Sequence, residues 1–421
     1  MLRATTMLLF LYATGVVAQA GFSPPTIETC LGFENITSVA CVNRYASVLP
    51  YPFARNNPDP EEDNFINTEV PSDSSFQLLQ NASFIVFDQS RGLEIIGSAP
   101  KVERMFDTRN DSIHEAPVYV PDLNVLIFSL PHQGIYEQQL INLNTTPPTL
   151  ENYTTHPPVY AVNGGKWYKN RIYWAAEASF TFPDPTTGAP VQQSPGIYML
   201  DPYTNTTTTL VNNYFGTKLN SPNDLFIDAH GDIFFTDSWY GYAINVTTYP
   251  VHAPATYRFR PSTGALSVVE NTLEQPNGIG ISPDGTTMYI SDTGVTDFTN
   301  VPPTQVPRYN FNPRGSRAVY AFDVLRSPAG ACITGKRPIW LAQTFAVDGL
   351  HVSHEGYVLG AAGTGIDVLS AWGELLVRIE IGEVVNNFQF VGAERDEIWA
   401  VGPSGIWRIT GLGNIHGLWE E

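Results

Sequence analysis

Residues 275–292 read Gln-Pro-Asn-Gly-Ile-Gly-Ile-Ser-Pro-Asp-Gly-Thr-Thr-Met-Tyr-Ile-Ser-Asp, and the fold can be inferred from this stretch outward. Asn277 opens a short apolar segment, which the tight turn Pro283-Asp284-Gly285 ends. A second segment, rich in β-branched and aromatic residues, follows the turn. This order of polar residue, apolar run, turn and apolar run predicts a β-hairpin whose first strand begins at Asn277.

The same unit occurs six times, with its starts about 40 to 70 residues apart except for the shorter last unit. In each unit an Asn, Asp or Glu precedes the first apolar residue of the second strand by nine to eleven residues; these starting residues are Glu115, Asn163, Asn223, Asn277, Asp348 and Asn387. Further strands fit after Gly196, Ala255 and Ala318. The repeat predicts an all-β fold, a six-bladed β-propeller with a central channel. A seven-bladed ring would need another unit within residues 21–110, and none is found there.

The expected organisation is a signal peptide at residues 1–20, an N-terminal extension at 21–80 and a single propeller domain at 81–421. The 33 prolines and 34 glycines are spread along the chain, and no low-complexity linker divides it. Two N-terminal segments, Ser83–Phe87 and Gly92–Gly97, are expected to add strands to the last blade. Such strands would close the ring and remove exposed sheet edges.

The first twenty residues indicate secretion. Arg3 precedes an apolar run from Met7 to Val17, and Ala18-Gln19-Ala20 has the form of a signal-peptidase site. The run is about half as long as a membrane span requires. Seven Asn-x-Ser/Thr sequons agree with an extracellular location and predict N-glycosylation; they are Asn35, Asn81, Asn110, Asn144, Asn152, Asn205 and Asn245.

The cysteines and the net charge further limit the class of protein to which this chain can belong. In an oxidising compartment Cys30 and Cys41 are expected to form a disulfide, and Cys332 is expected to be a buried apolar residue. The formal net charge of −19 excludes nucleic acid as a partner and suits a soluble extracellular protein that attracts cations. The sequence implies no protein partner and no membrane association.

In a propeller the six starting residues converge on the axis, although they lie far apart in the chain. Their side chains are two carboxylates and four amides, which are the oxygen ligands that Ca²⁺ prefers, whereas zinc would call for His or Cys. Asn163 and Asn387 could hold a second ion or line the channel. The alternative is that each residue caps a strand end or forms an Asx turn.

Several segments resemble the gluconolactonase or senescence-marker-protein (regucalcin-like) family over about residues 110–412, and look closest to secreted fungal lactonohydrolases. These segments begin Glu115-Ala-Pro-Val-Tyr, Ser221-Pro-Asn-Asp-Leu, Gln275-Pro-Asn-Gly-Ile, Val347-Asp-Gly-Leu and Gly405-Ile-Trp-Arg-Ile. The resemblance implies a divalent cation, expected to be Ca²⁺, bound by Glu115, Asn277 and Asp348, with Asn223 at or beside the ion.

The same resemblance implies a calcium-dependent lactonase that hydrolyses sugar or related small lactones to hydroxy acids. Asp348 is the expected general base, or else a ligand only, and His114 is the alternative catalytic residue at the channel mouth. His351 should point away from Asp348 if its strand is regular. Some relatives have an arginine where this chain has Ser221, which places the sugar-lactone spectrum in question. A calcium-dependent phosphotriesterase and a non-catalytic binding propeller are the competing functions.

Overall fold

The computed structural model describes residues 25–43, 62–108, 115–132, 135–178, 187–299, 309–328 and 330–419, with a few positions between these ranges. The expected signal peptide, Asn110 and His114 lie outside the described residues. Among the described residues, no helix is both long enough and apolar enough to cross a membrane.

Six antiparallel arrays of four strands make up most of the described chain, and we number the sheets 1 to 6 in chain order. Sheet 1 contains Glu115–Val120, Val125–His132, Ile135–Asn142 and Thr149–Tyr153; sheet 2 contains Val162–Tyr168, Arg171–Ala176, Gly196–Asp201 and Thr206–Val211. Sheet 3 contains Pro222–Ile227, Ile233–Asp237, Ala255–Arg260 and Ala265–Glu270; sheet 4 contains Pro276–Ile281, Thr287–Asp292, Ala318–Ser327 and Gly330–Leu341. Sheet 5 contains Val347–Val352, Val358–Ala362, Gly365–Leu369 and Leu375–Glu380; sheet 6 contains Asn387–Val391, Glu397–Gly402, Gly405–Thr410 and Lys101–Asp107.

The first strand named for each sheet is its inner strand. Each inner strand contacts the inner strands of the preceding and following sheets, and that of sheet 6 contacts that of sheet 1. Six apolar clusters follow the same cyclic order, each lying between two consecutive sheets. The all-β class expected from the sequence is confirmed.

Packing on both faces explains why the inner strands are apolar almost throughout. In Pro276–Ile281 every residue is buried, since sheets 3 and 5 cover the two faces of sheet 4. A sheet with one face in water would instead alternate polar and apolar residues. The polar residues that remain in these strands therefore stand out as candidates for function.

The segment that completes sheet 6 differs from the expectation. Lys101–Asp107 pairs with Gly405–Thr410, so the N-terminal part of the chain supplies the outer strand of the last sheet. The predicted segment Ser83–Phe87 lies elsewhere, because its strand Phe84–Val86 pairs with Leu375–Glu380 of sheet 5. An N-terminal strand thus joins the last sheet, as predicted, but this strand is Lys101–Asp107 and not the predicted Ser83–Phe87.

The second predicted segment, Gly92–Gly97, is not a strand. It belongs to the helix Gln89–Ile96, whose N-cap Asp88 accepts backbone hydrogen bonds at 3.0 and 3.2 Å. Gly92, Ile95 and Ile96 are buried, which is the i, i+3, i+4 spacing of a helix face. The Ile-Ile pair favoured a strand, but the Asp cap and the helical spacing determine the structure.

The N-terminal extension continues sheet 5 outward. Val39–Val42 pairs in parallel with Phe84–Val86, and Ile27–Glu28 pairs with Val39–Val42. Cys30 and Cys41 form a disulfide with their Cα atoms 5.1 Å apart. Residues 27–42 therefore pack as part of the same sheet.

Cys332 is exposed and free, contrary to the expectation of a buried residue. It lies on Gly330–Leu341, the outermost strand of sheet 4, between the buried Ala331 and the half-buried Ile333. Alternation along an edge strand places its side chain toward solvent.

The remaining described elements are short. They are the helix Tyr240–Ala243, the 3₁₀ segments Phe65–Asn67, Ser74–Asn81 and Pro121–Leu123, and four two-stranded pairs: Ala54–Arg55 with Thr68–Glu69, Phe182–Pro183 with Pro190–Val191, Asn213–Tyr214 with Thr217–Lys218, and Thr296–Asp297 with Asn310–Phe311.

Candidate active site and metal centre

The six starting residues occupy equivalent places in the six sheets. Each is the first or second residue of an inner strand, and all are buried except Asp348, which is partly exposed; they are Glu115, Asn163, Asn223, Asn277, Asp348 and Asn387. Because the inner strands contact one another in cyclic order, these polar positions gather at one end of the ring of inner strands.

A β-bulge lies at this end in five of the six inner strands. The pairing with the second strand shifts between Glu115 and Val118 in sheet 1 and between Val347 and Leu350 in sheet 5, and sheets 2, 3 and 4 have the same irregularity. A bulge adds a residue on one strand and redirects its side chains. The side chains of the polar residues therefore depart from the regular alternation of side chains along a strand. An Asx turn alone does not explain this departure.

Two glycines after the polar residues are required by close approach of the next inner strand. A Cβ on Gly278 would lie 2.5 Å from the backbone oxygen of Asp348, and one on Gly349 would collide with the amide of Asn387. The Asn-Gly and Asp-Gly dipeptides therefore mark tight packing between neighbouring inner strands.

Hydroxyl groups on the second strands fix the polar residues of the following sheet. Thr236 Oγ1 of sheet 3 donates to the backbone oxygen of Asn277 at 2.7 Å, and Ser291 Oγ of sheet 4 donates to that of Asp348 at 3.2 Å. The next residue in each case is an aspartate that accepts backbone N–H groups just ahead of its own inner strand. The repeated Thr/Ser-Asp pair was a signal in the sequence that was not used.

Glu115 and Asp348 form a carboxyl pair across the ring, in which Glu115 is buried and Asp348 is partly exposed. Burial raises the pKa of Glu115 well above its ordinary value, and the neighbouring Asp348 carboxylate raises it further. Burial likewise raises the pKa of Asp348 to about 6, although hydrogen bonds from Asn386, Asn277 and Glu115 oppose the shift. Neither carboxylate has an ion-pair partner in the described part of the chain.

Two adjacent asparagines of sheet 6 surround this pair. Asn386 Nδ2 donates to Asp348 Oδ2 at 3.1 Å, while the buried Asn386 Oδ1 has no hydrogen-bond partner. Hydrogen bonding from the Asn387 side chain favours the ionised form of Glu115. Asn387 was predicted from the repeat, whereas Asn386, which lies one residue ahead of the inner strand, was not.

A third carboxyl group, Glu177, lies beside the predicted Asn163. Asn163 Nδ2 donates to Glu177 Oε1 at 2.6 Å, and burial raises the pKa of Glu177 to about 7. Ser221 is close enough to favour the ionised form, yet Glu177 Oε2 accepts no hydrogen bond. Glu177 follows the second strand of sheet 2, outside the repeated position, so the sequence pattern did not identify it.

Asp224 connects sheets 3 and 4 next to the site. Its Oδ1 accepts the Leu225 N–H at 2.8 Å and its Oδ2 accepts the Ile279 N–H at 3.2 Å. Burial raises the pKa of Asp224 to about 6, and the positive charge of Lys166 opposes this shift. Asn223, the preceding predicted ligand, is buried at the bulge of the same strand.

Lys166 and His351 meet further along the inner strands. Lys166 Nζ lies 3.1 Å from His351 Nδ1, and the imidazole packs on Phe388 with ring centroids 4.8 Å apart. Burial, helped by Lys166, holds the pKa of His351 well below its ordinary value. The expectation that His351 points away from Asp348 assumed a regular strand, and the bulge after Val347 removes that condition.

The far end of the inner strands is covered by the C-terminal segment. Gly417 bridges to Ser353 of sheet 5, and its N–H donates to the Arg395 oxygen at 2.8 Å. A small cavity of about 20 Å³ lies there, and its lining includes Lys166 and His351. Access to the polar site is therefore expected from the opposite end.

The residues present fit an oxygen-coordinated divalent cation. The carboxyl pair and the unpartnered Oε2 of Glu177 and Oδ1 of Asn386 offer oxygen atoms that calcium accepts. No cluster of three or more His, Cys, Asp and Glu side chains suited to a metal occurs among the described residues, because amides supply much of this donor set. Such a set does not favour zinc.

The fold and site define an all-β protein in which consecutive sheets gather carboxylate and amide side chains at one end of their inner strands. Residues 113–401 match the SMP-30/gluconolactonase/LRE-like region. The chain belongs to this family, as the motifs of its inner strands predicted.

Two curated relatives cover most of the chain. Lactonohydrolase oryL of Aspergillus oryzae is 42% identical over 408 residues, which span 93% of this chain and 89% of the relative. Lactonohydrolase oryH of the same species is 36% identical over 451 residues, spanning 93% and 94% of the two chains.

Solved structures support the fold. A gluconolactonase from Xanthomonas campestris has a TM-score of 0.59 at 20% identity, covering 78% of this chain and 94% of its own. A calcium-binding regucalcin from Agrobacterium tumefaciens has a TM-score of 0.52 at 16% identity, covering 76% and 96%.

Proposed function

We propose that the protein is a calcium-dependent lactonase that hydrolyses small lactones to hydroxy acids. The observation that carries this proposal is the pair Glu115–Asp348, two carboxyl groups, one buried and one partly exposed, that share a site with amides. Two carboxylates at such a site are stable together when a cation lies between them. The lactonohydrolases and gluconolactonase among the relatives favour a lactone over a phosphotriester as the substrate.

The six sheets would form the blades of a six-bladed propeller, with the polar site at the open end of a central channel. The cyclic contacts of the inner strands and the cyclic order of the apolar clusters support this architecture. Glu115, Asn223, Asn277 and Asp348 would hold the ion. Asn163 and Asn387 would line the channel around this ion. A second ion bound by these two residues would lie near the positive charge of Lys166.

Calcium, when bound, would polarise the lactone carbonyl and stabilise the oxyanion that forms on it. Asp348 would orient the attacking water and accept its proton, and then return that proton to the ring oxygen as the acyl C–O bond breaks. Asn386 and Asn277 hold the Asp348 carboxyl in place for this task. The partial exposure of Asp348, unlike the burial of Glu115, favours Asp348 as the residue that meets water. The alternative base, His114, lies outside the described residues.

The test is a substrate screen with and without a chelator. Aldonolactones, pantolactone and a phosphotriester would be offered to the purified protein, and acid release or phosphotriester cleavage would be followed. Hydrolysis of a lactone that stops with chelator and resumes with Ca²⁺ supports the proposal. Cleavage of the phosphotriester alone would replace it with the competing hydrolase, and turnover of neither would point to a binding protein.

We further propose that the protein is secreted and N-glycosylated. Asn35, Asn81, Asn144 and Asn152 are exposed, which a glycan requires, whereas Asn205 and Asn245 are half-buried. The disulfide Cys30–Cys41 suits an oxidising compartment. The mature chain should begin near Gly21 and lose mass on endoglycosidase treatment, as mass spectrometry of secreted protein would show. An intact Met1 or an unchanged mass would contradict this.

A further inference from the structure

A pocket of about 690 Å³ adjoins the proposed active site between sheets 2 and 3. Its lining includes Ala178, which directly follows Glu177, and Asn220, which directly precedes Ser221. Two lining residues of the pocket are thus direct sequence neighbours of residues at the polar site, one next to sheet 2 and one next to sheet 3. Its volume lies in the range of small-molecule sites.

Large apolar side chains are left uncovered at this pocket. Among its lining residues Tyr249 is 68% exposed and Val251 is 64% exposed, while Leu219 and Val246 are buried beneath them. Phe215, next to the lining residue Gly216, is 88% exposed. Clustered exposed apolar residues beside a polar site are typical of a ligand-binding surface.

A series of aromatic rings links the pocket to the polar site. Tyr249 lies 6.4 Å from Trp239 between ring centroids, Trp239 lies 6.1 Å from Phe298, and Phe298 lies 5.9 Å from Tyr240. Tyr240 donates a hydrogen bond to Thr293 and lies within electrostatic reach of Asp348. An apolar group bound against these rings would thus extend from the reacting carbonyl into the pocket.

The pocket lining near Ser221 contains both apolar and polar groups. Ser221 Oγ already accepts the Gly241 N–H at 2.7 Å, so it holds the helix Tyr240–Ala243 in place. The charged residue of the pocket lining, Lys218, is exposed at its rim. Gln193 and Asn220 bond to backbone groups, but Gln192, Thr217, Thr247 and Thr248 also line the pocket, so an apolar substituent would pack chiefly on Tyr249 and Val251.

We infer that this pocket is a subsite for an apolar substituent, and that the substrates are lactones bearing an alkyl or aryl arm. The inference rests on the proposed lactonase function and narrows it. Each methylene that leaves water for the subsite should raise kcat/KM by up to about fourfold.

The experiment compares five-membered lactones that bear no side chain, a propyl group or a hexyl group at the ring carbon next to the ring oxygen, with glucono-δ-lactone as the polyhydroxylated reference. The calcium-loaded protein is first treated with endoglycosidase, because the sequon Asn245 lines the pocket. From the unsubstituted to the hexyl lactone, kcat/KM should rise at least about tenfold. A flat series, or a preference for glucono-δ-lactone, would overturn the inference and leave the lactonase function intact.

Two pocket variants and one control locate the effect. Tyr249→Ser and Val251→Ser should reduce kcat/KM for the hexyl lactone by at least about tenfold more than for the unsubstituted lactone. Trp372→Ser removes an aromatic residue that is 79% exposed on a turn of sheet 5, away from the pocket, and should change neither value. Equal effects of the Tyr249 and Trp372 substitutions on the chain-length series would contradict the subsite.

A binding measurement separates the subsite from the reaction. Calorimetric titration with 2-hexyltetrahydrofuran, which has no carbonyl to hydrolyse, should show binding that Tyr249→Ser weakens about tenfold. If no lactone is hydrolysed, the proposed function fails, and this titration alone decides the subsite. Absence of binding to the unmodified protein, or equal binding by the Tyr249 variant, would overturn the subsite.

Discussion

Two buried clusters of charged residues lie in neighbouring parts of the molecule and differ in how their carboxylates are neutralised. In sheet 5, Arg378 is fully buried and pairs with Asp367 at 2.9 Å and with Glu380 at 2.7 Å. At the site, the carboxyl groups of Glu115 and Asp348 face each other and are surrounded by asparagine amides. The first cluster contains its own cation, whereas neither Glu115 nor Asp348 has an ion-pair partner in the part of the chain that the structure describes.

The remaining oxygens of the sheet 5 cluster are also satisfied. Trp340 Nε1 donates to Asp367 Oδ2 at 3.3 Å, and Thr364 Oγ1 donates to Glu380 Oε1 at 2.5 Å. At the site, by contrast, Glu177 Oε2 and Asn386 Oδ1 are buried without a partner. A complete network fixes a structure, whereas an incomplete one indicates a place for a ligand. The comparison thus separates a structural cluster from a functional one.

Removing the cation of the structural cluster should have the largest effect on stability. Arg378→Met leaves Asp367 and Glu380 buried without a positive charge, and we expect a loss of about 3–5 kcal/mol. Urea denaturation followed by fluorescence would measure it. The matched control is Arg337→Met, whose exposed pair with Asp323 should contribute less than about 1 kcal/mol. Similar losses in the two variants would remove the distinction between the clusters.

Removing one carboxylate of the functional cluster should act on turnover instead. Asp348→Asn keeps the shape and an oxygen ligand but loses the base, so kcat should fall about 10²-fold or more with the metal still bound. Glu115→Gln should act mainly on metal affinity, so excess Ca²⁺ should restore part of its activity. Steady-state kinetics paired with metal analysis tests both.

Two results would revise these roles. Full activity of Asp348→Asn with metal bound would exclude Asp348 as the base and direct attention to His114. Activity lost in step with the metal, and fully restored by excess calcium, would make Asp348 a ligand only.

The six starting residues could be predicted because the repeated unit of the sequence places them at equivalent positions. Their strands begin within one residue of the predicted starts, and the order of polar residue, strand, turn and strand holds in all six sheets. Asn386 and Glu177 could not be predicted in this way. They lie just before one inner strand and just after a second strand, so no repeat marks them, and only the packed sheets place them at the site.

The β-bulges could not be predicted from the sequence, for a different reason. A bulge depends on how two strands pair, and the Asn-Gly and Asp-Gly dipeptides are equally typical of turns. The N-terminal helix Gln89–Ile96 was missed although Asp88 and the spacing of Gly92, Ile95 and Ile96 indicated it.

The part of the pH dependence of stability that calcium reverses should distinguish the clusters in a third and smaller way, because burial also raises the pKa of Asp367 in the sheet 5 cluster. Burial raises the pKa of Asp348 and of Asp224 to about 6, above the unfolded value of about 3.9. The folded state therefore favours the protonated form, and this contribution is present at low pH and is lost as pH rises through about 6. For one such group the change is on the order of 2–3 kcal/mol.

Thermal unfolding of calcium-free protein between pH 4.5 and 7.5 would measure this loss. Saturating Ca²⁺ should reduce it, since the cation binds the ionised carboxylates. The Glu115→Gln variant should also show a smaller loss in the absence of calcium. A melting temperature that rises with pH in calcium-free protein would contradict the assignment of uncompensated carboxylates.

The most direct test of the functional cluster is the calcium content of the purified protein, measured with its lactonase activity on the same sample. We predict one Ca²⁺ per chain by elemental analysis, loss of activity and a lower melting temperature after chelation, and recovery of both on adding calcium. Zinc in place of calcium, or an activity and a melting temperature that do not respond to removal of the metal, would contradict the account.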